Sequence, residues 1–265
     1  MTRILQQTMI VVFIGGCVLM ASRNAGAQLI PAATVAVALE KTVVTQHEPV
    51  LLRFTLSNSS SKQADFELGY GEEKANIKVN VTDPDGRVWP KPRPAPRFGA
   101  QFREAILAEP YTTSVGSVVL DDWFTFNKLG KYRIDVAVPP SKDSSPADLQ
   151  VPETPLTLSV VPRDQDALAS ACAGLVTRVE NWKSASDADV AADALSKIDD
   201  PVAVPFLAQA MKQKFFSSMM IDSLARLNTP DAVNAFVAAS QSSDPEISAA
   251  AYAALVALGK VKPPG

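Results

Sequence analysis

The chain predicts a β-then-α architecture: an antiparallel β-sandwich followed by a short α-helical repeat. Three observations carry this. Segments between residues 28 and 162 alternate apolar and polar residues and are separated by turn chemistry. At Pro162-Arg163-Asp164 the composition turns alanine-rich and glycine-poor. Beyond that point a pattern recurs at an offset of 29 residues, from Ala194 to Ser223. The division is therefore 1–27 leader, 28–162 β-sandwich and 163–265 helical repeat.

The leader comes first. Arg3 supplies a positive start, Met9 to Ala21 is an apolar run too short to span a bilayer, and Ala25-Gly26-Ala27 places small residues before Gln28. This is a secretory signal cleaved after Ala27, which implies a periplasmic or secreted protein. Ile14-Gly15-Gly16-Cys17 is a rival reading as a lipid-attachment motif, with membrane association only if Cys17 is acylated. Against it, the apolar run continues through Val18-Leu19-Met20. Removing Arg3 and Arg23 with the leader leaves 23 basic against 28 acidic residues, a net charge of −5. That balance gives no electrostatic reason to bind nucleic acid.

In the β half, strands are expected at Thr34–Glu40, Val50–Asn58, Ile77–Thr82, Thr113–Leu120, Trp123–Phe126, Lys131–Val138 and Leu156–Val161, seven or eight in all. Asp83-Pro84-Asp85-Gly86 is a strong turn signal, with Arg87-Val88-Trp89 starting the return strand. Pro139 through Pro155 reads as a long loop. Glu48-Pro49-Val50 leading to Leu52, Phe54 and Leu56, then Leu129-Gly130-Lys131-Tyr132, resembles bacterial secreted immunoglobulin-like domains, with Leu-Gly where such domains often carry Pro-Gly. The resemblance implies an immunoglobulin-like β-sandwich and names no function. A weaker similarity points to bacterial proteinase-inhibitor-like sandwiches.

In the α half, Asp200-Pro201, Thr229-Pro230 and Asp244-Pro245 each put an N-cap residue before a proline suited to the first helical position. Gly259 ends the last helix. About six helices of roughly 10–20 residues follow from this punctuation. Ala194-Leu195-x-x-Ile198-x-Asp200-Pro201-x-Ala203-Val204-x-x-Leu207 recurs as Ser223-Leu224-x-x-Leu227-x-Thr229-Pro230-x-Ala232-Val233-x-x-Phe236, and Ala254-Leu255-x-x-Leu258 begins a third copy. This resembles HEAT-like repeats of the short kind noted in phycobilisome lyases. The resemblance implies stacked helix pairs and carries no catalytic residue across. Leu195, Ile198 and Leu207 would need Leu224, Leu227 and Phe236 beside them, with residues 164–184 capping one end.

The chemistry-bearing residues are few. His47 is the lone histidine and Cys172 the one cysteine left after the leader, so neither His-Glu-x-x-His nor a zinc cluster can form. There is no Gly-x-Ser-x-Gly elbow and no glycine-rich phosphate loop. Cys172 reads as a small buried hydrophobe and His47 as a surface-turn residue. Asp83 with Asp85, and Asp121 with Asp122, are oxygen pairs that could hold Ca²⁺, although aspartate is also an ordinary turn former. No cofactor and no catalytic residue is expected.

Two candidate surfaces remain. Trp89-Pro90-Lys91-Pro92-Arg93-Pro94-Ala95-Pro96-Arg97-Phe98, continuing to Phe102-Arg103, is an extended basic run with aromatics. Trp89, Lys91, Arg93, Arg97, Phe98 and Arg103 are the candidate partner-binding residues, against the plainer reading of a stiff crossover between sheets. Lys212, Lys214, Phe215, Phe216, Met219 and Met220 form either a protein-binding groove or ordinary core, and core is the expectation. The functional expectation is an exported, non-catalytic protein-binding or scaffold protein with an unknown protein partner. The alternatives are a protease-inhibitor-like or polysaccharide-binding module, then an unrecognised hydrolase.

Overall fold

The computed structural model describes residues 32–67, 77–90, 105–137, 149–150, 155–181 and 185–262. The described strands all lie before residue 162 and the six α-helices after it. The leader, Cys17 and residues 91–104 fall outside the described residues.

The strands are β1 (Ala33–Leu39), β2 (Val43–Thr45), β3 (Leu51–Asn58), β4 (Ala64–Glu67), β5 (Lys78–Thr82), β6 (Val88–Pro90), β7 (Ala105–Ala108), β8 (Thr113–Val119), β9 (Gly130–Ala137), β10 (Leu149–Gln150) and β11 (Leu156–Val161). They form a four-stranded sheet in the order β10-β1-β3-β8, a five-stranded sheet in the order β2-β11-β9-β5-β6, and the ribbon β4-β7. The alternation read from sequence is what buries one face of each. Val35 and Val37 of β1 and Leu52, Phe54 and Leu56 of β3 meet Val79, Val81, Tyr132, Ile134, Val136, Leu158 and Val160 of the five-stranded sheet in one cluster. Phe66 of β4 and Ile106 of β7 join it, with the Phe54 and Phe66 rings 5.7 Å apart.

Several expectations are corrected. Eleven strands are described, against seven or eight expected. Pairing is not purely antiparallel, because β10 lies parallel to β1 and β2 parallel to β11. β10 falls within the stretch expected to be loop. Trp123–Phe126 is not a strand. Leu120–Asp122 forms a 3-10 turn whose Leu120 carbonyl accepts from the Trp123 and Phe124 amides, and the aromatics drop into the core as an irregular segment.

The helices are α1 (Gln165–Glu180), α2 (Ala185–Lys197), α3 (Val204–Ala210), α4 (Ser217–Leu227), α5 (Pro230–Ala239) and α6 (Pro245–Ala257). The caps read from sequence are in place. The Asp200 side chain accepts from the Val202 amide at 3.0 Å, Thr229 from Ala232 at 3.1 Å, and Asp244 from Glu246 at 2.9 Å. Gly259 sits at φ 67°, and its amide and that of Lys260 close back on the Val256 and Leu255 carbonyls. This is the double closure that only a left-handed residue permits cheaply. At seven residues α3 is shorter than expected, since Pro201–Ala203 form a 3-10 turn and Pro205 follows within the first turn of α3.

α1 packs on α2 and α3, α3 on α4 and α5, and α5 on α6, while α2 packs on α4 and α4 on α6. Leu195, Ile198, Leu207, Leu224 and Phe236 are fully buried between them, each contributing about 2 kcal/mol. The same cluster contains Leu51 of β3 and Val119 of β8, which are register partners. Pro31–Gly265 is accordingly one compact unit, with α2 seated against β8.

Candidate functional site

Two polar clusters stand out. The first is the β5–β6 turn. Asp83 Oδ1 accepts from the amides of Asp85 (3.0 Å) and Arg87 (2.9 Å), and Gly86 takes φ 82°. Thr82 opposes Val88 and Val81 opposes Trp89 across the resulting hairpin. The Lys128 ammonium lies between Asp83 (2.7 Å) and Asp85 (2.5 Å). Its hydrogen bond, helped by those from Arg87 and Trp89, holds the Asp83 carboxyl down at about 2. The Trp89 indole N–H reaches Asp83 at 3.5 Å, and the Arg87 guanidinium sits 3.8 Å above the Trp89 ring. Trp89 is 42% exposed on the edge strand of the five-stranded sheet. It stands immediately before the basic run expected to bind a partner. Lys91, Arg93, Arg97, Phe98 and Arg103 of that run lie outside the described residues.

The second cluster is the joint between strands and helices. Arg163 grips Asp200 with two bonds, of 2.6 and 3.0 Å, which holds Asp200 below the usual carboxylate range. Arg178 of α1 reaches Glu40 (3.2 Å) and Asp187 (2.7 Å). Lys197 at the end of α2 meets Asp122 at 2.5 Å and Asp193 at 3.5 Å. The Thr45 hydroxyl donates to the Pro162 carbonyl and accepts from the Asp164 amide, tying β2 to the start of α1. Beside Arg178 and Glu40 opens a cleft of about 310 Å³ with an apolar floor of Val44, Leu51, Ala171 and Leu175. Lys41 and Glu48 pair with each other at its rim.

The two aspartate pairs are separate in role. Asp83 and Asp85 face the Lys128 ammonium. Asp121 accepts from the Val50 amide at 2.7 Å, while Asp122 faces Lys197. Burial pushes the Asp121 carboxyl up to about 7, against the hydrogen bond from Val50. Among the described residues no group of three or more His, Cys, Asp or Glu is placed to hold a metal ion.

Cys172 is buried on α1, where burial pushes its thiol up to about 12. His47 is exposed in the turn after β2, at φ 69°. Of the residues expected to be core rather than groove, Phe216 and Met220 are buried and Met219 packs against that core, whereas Phe215 is 79% exposed. Lys214 pairs with Glu246 of α6. Sequence reading missed the joint. Arg178 and Glu40 are 138 positions apart and Arg163 and Asp200 37 apart, and no local pattern links them.

No protein-family model matches the chain, and no curated protein matches it. Among solved structures, a β-glucosidase from Listeria innocua in complex with isofagomine is similar at 12% identity and a TM-score of 0.30, over 50% of this chain. The chain spans 16% of that enzyme's length. The CARDB domain of a Pyrococcus furiosus protein, in complex with di-metal ions, is similar at 14% identity and a TM-score of 0.25, over 50% of this chain and 90% of that one. Likeness at this level carries no argument about fold or activity.

Proposed function

We propose that the chain is an exported, non-catalytic protein-binding scaffold, built as an immunoglobulin-like β-sandwich followed by a short HEAT-like repeat. The sandwich reading is supported by the single buried cluster shared by the two larger sheets. Tyr132 adds support: its hydroxyl accepts from the Lys128 amide and donates to the Lys128 carbonyl, four residues upstream. The repeat reading is supported by α1, α3 and α5 following one another in one row and α2, α4 and α6 in another, with equivalent leucines inside. Export is supported by the leader, from Arg3 to Ala27.

The observation that carries the binding reading is the Trp89 edge. A half-exposed indole, braced by Arg87 and Asp83 on a hairpin pinned by Lys128, leads directly into Lys91, Arg93, Arg97, Phe98 and Arg103. Rigid aromatics beside arginines are the usual anchors of protein interfaces. The test is in-cell cross-linking of the wild type beside a Trp89→Ala variant and a variant with Lys91, Arg93, Arg97 and Arg103 changed to Ser. One envelope protein recovered saturably with wild type and lost with both variants is the expected result. Recovery that survives both variants removes this edge as the site. The exposed indole also favours a second reading, a polysaccharide ligand stacking on Trp89. Affinity electrophoresis in polysaccharide gels, with and without Trp89→Ala, separates the two.

A further inference from the structure

Where α2 sits on the strands, the Lys197 ammonium is shared between two carboxylates, with a third beside them. The 3-10 turn Leu120–Asp122 follows β8, and α2 packs against both. Val119, the residue before the turn, and Leu51, its partner on β3, are buried in the helical core rather than between the sheets. The turn is therefore the seat on which the helical half rests. From α2, Lys197 bonds Asp122 at 2.5 Å and Asp193 of its own helix at 3.5 Å. The Asp122 and Asp193 side chains are 3% and 15% exposed, so bulk water screens them little. Asp121 is the third carboxylate, and Asp122 and Lys197 are the charges that face it. From the β3 side it meets the Val50 amide at 2.7 Å, while Glu48, two residues earlier in the chain, is taken by Lys41 and the Thr45 amide.

We propose that the seat of α2 on the Leu120–Asp122 turn is a proton-operated latch, shut while Asp121 carries its proton and released, with strands and helices still folded, when that proton passes to water. With Asp121, Asp122 and Asp193 all ionised, the Lys197 ammonium is outnumbered in a place that water reaches poorly. Two remedies exist: a proton on Asp121, or exposure of the cluster to solvent. Burial favours the first and holds the Asp121 carboxyl up at about 7. Above that value the second remains, and the last turn of α2 moves off the seat. The sign follows from linkage. Asp121 binds its proton more tightly in the shut state than in the released one, so mild acid favours the shut state and its advantage shrinks as pH rises to about 7. The start of α1 does not share this choice. Arg163 holds Asp200 below the usual carboxylate range, and the Thr45 hydroxyl ties Pro162 and Asp164 without charge. The helical half therefore stays tied at α1 while α2 loosens. The inference goes beyond the partner-binding reading and does not depend on it.

Native-state hydrogen exchange in low urea tests it, with rates corrected for the intrinsic effect of pH. The reporting amides are those that close the seat: Leu120 on the Val50 carbonyl, Trp123 and Phe124 on the Leu120 carbonyl, and Ile198 on the Leu195 carbonyl. Their protection is expected to fall roughly tenfold or more between pH 5 and pH 8. At pH 8 they are expected to exchange roughly tenfold or more faster than the amides of β9, at the centre of the five-stranded sheet, and with little dependence on urea. Asp121→Asn is expected to keep the pH 5 protection at pH 8. Asp193→Asn relieves the shared ammonium of one carboxylate and is expected to shrink the fall. Seat amides that follow those of β9 at every pH and urea concentration would make the effect one of global unfolding and overturn the latch. Protection that does not change with pH overturns it too, as does a fall that Asp121→Asn leaves in place. A fall that Asp193→Asn leaves at full size removes the shared ammonium from the account and overturns the proposal as well.

Discussion

The β5–β6 turn and the strand–helix joint each hold two neighbouring aspartates, and they settle them in opposite ways. Asp83 collects the Lys128 ammonium, two backbone amides and an indole N–H, and its carboxyl is held at about 2. Asp121 is buried and lies beside Asp122, and burial pushes its carboxyl up to about 7 against the hydrogen bonds from the Val50 amide and its own. The cation beside this pair, Lys197, bonds Asp122 instead. The difference lies in how the counter-charge is allotted. At the turn one ammonium serves both carboxylates, while at the joint it bonds one and leaves the other to titrate.

The largest effect should come from removing the Lys197 ammonium from the joint. Lys197→Met takes the ammonium away from Asp122, whose side chain is 3% exposed, and should cost roughly 3 kcal/mol in urea unfolding at neutral pH. Adding Asp122→Asn should recover part of the loss. A loss below about 1 kcal/mol would mean that this pair behaves like an exposed one.

Next in size is the pH dependence set by Asp121. Its folded value of about 7 lies above the value of about 3.9 expected of the unfolded chain, so the native state holds the extra proton across that window. Stability should therefore fall as pH rises from about 4 to 7 and level off above. The full shift corresponds to about 4 kcal/mol, and allowing for residual solvent access roughly 1–3 kcal/mol is expected. Asp121→Asn keeps an acceptor for the Val50 amide and removes the titration. It should flatten that slope and stabilise the protein at pH 8 by the same amount, measured by urea unfolding across pH. A variant with the wild-type slope would assign the titration to another group.

Much of the helical half was legible because its signals are local. The pairs Asp200-Pro201, Thr229-Pro230 and Asp244-Pro245 state where helical turns begin, and Gly259 where the last helix stops. Longer strands such as β3 and β9 were legible from alternation. β2 and β10 were not, because three and two residues show no period and their parallel partners lie more than a hundred positions away. Trp123–Phe126 misled for the opposite reason, since aromatic residues satisfy the strand pattern while the Leu120 carbonyl turns the chain. Of the candidate site, Trp89 was reachable from the turn signal before it. The brace around it required Lys128, 45 positions from Asp83, which only the folded sheet brings close.

The turn should respond more mildly than the joint. Asp83→Asn weakens the bond to Lys128, and its effect has the reverse sign in pH. Because the native carboxyl is depressed, its contribution is present above about pH 4 and lost as pH falls towards 2. The variant should lower Tm at pH 7 by less than Lys197→Met does, and the gap from wild type should close below about pH 3. Smaller still is Arg87→Ala. The Arg87–Trp89 contact at 3.8 Å is exposed, so its loss should cost at most about 1 kcal/mol. Its signature is optical, because the guanidinium shields one face of an indole that is otherwise half in water. With Trp89→Phe subtracted to isolate one of the three tryptophans, Arg87→Ala should red-shift the Trp89 emission and increase its quenching by iodide. Unchanged quenching would mean that the guanidinium does not cover the ring in solution. The edge would then rest on Asp83 and Lys128 alone.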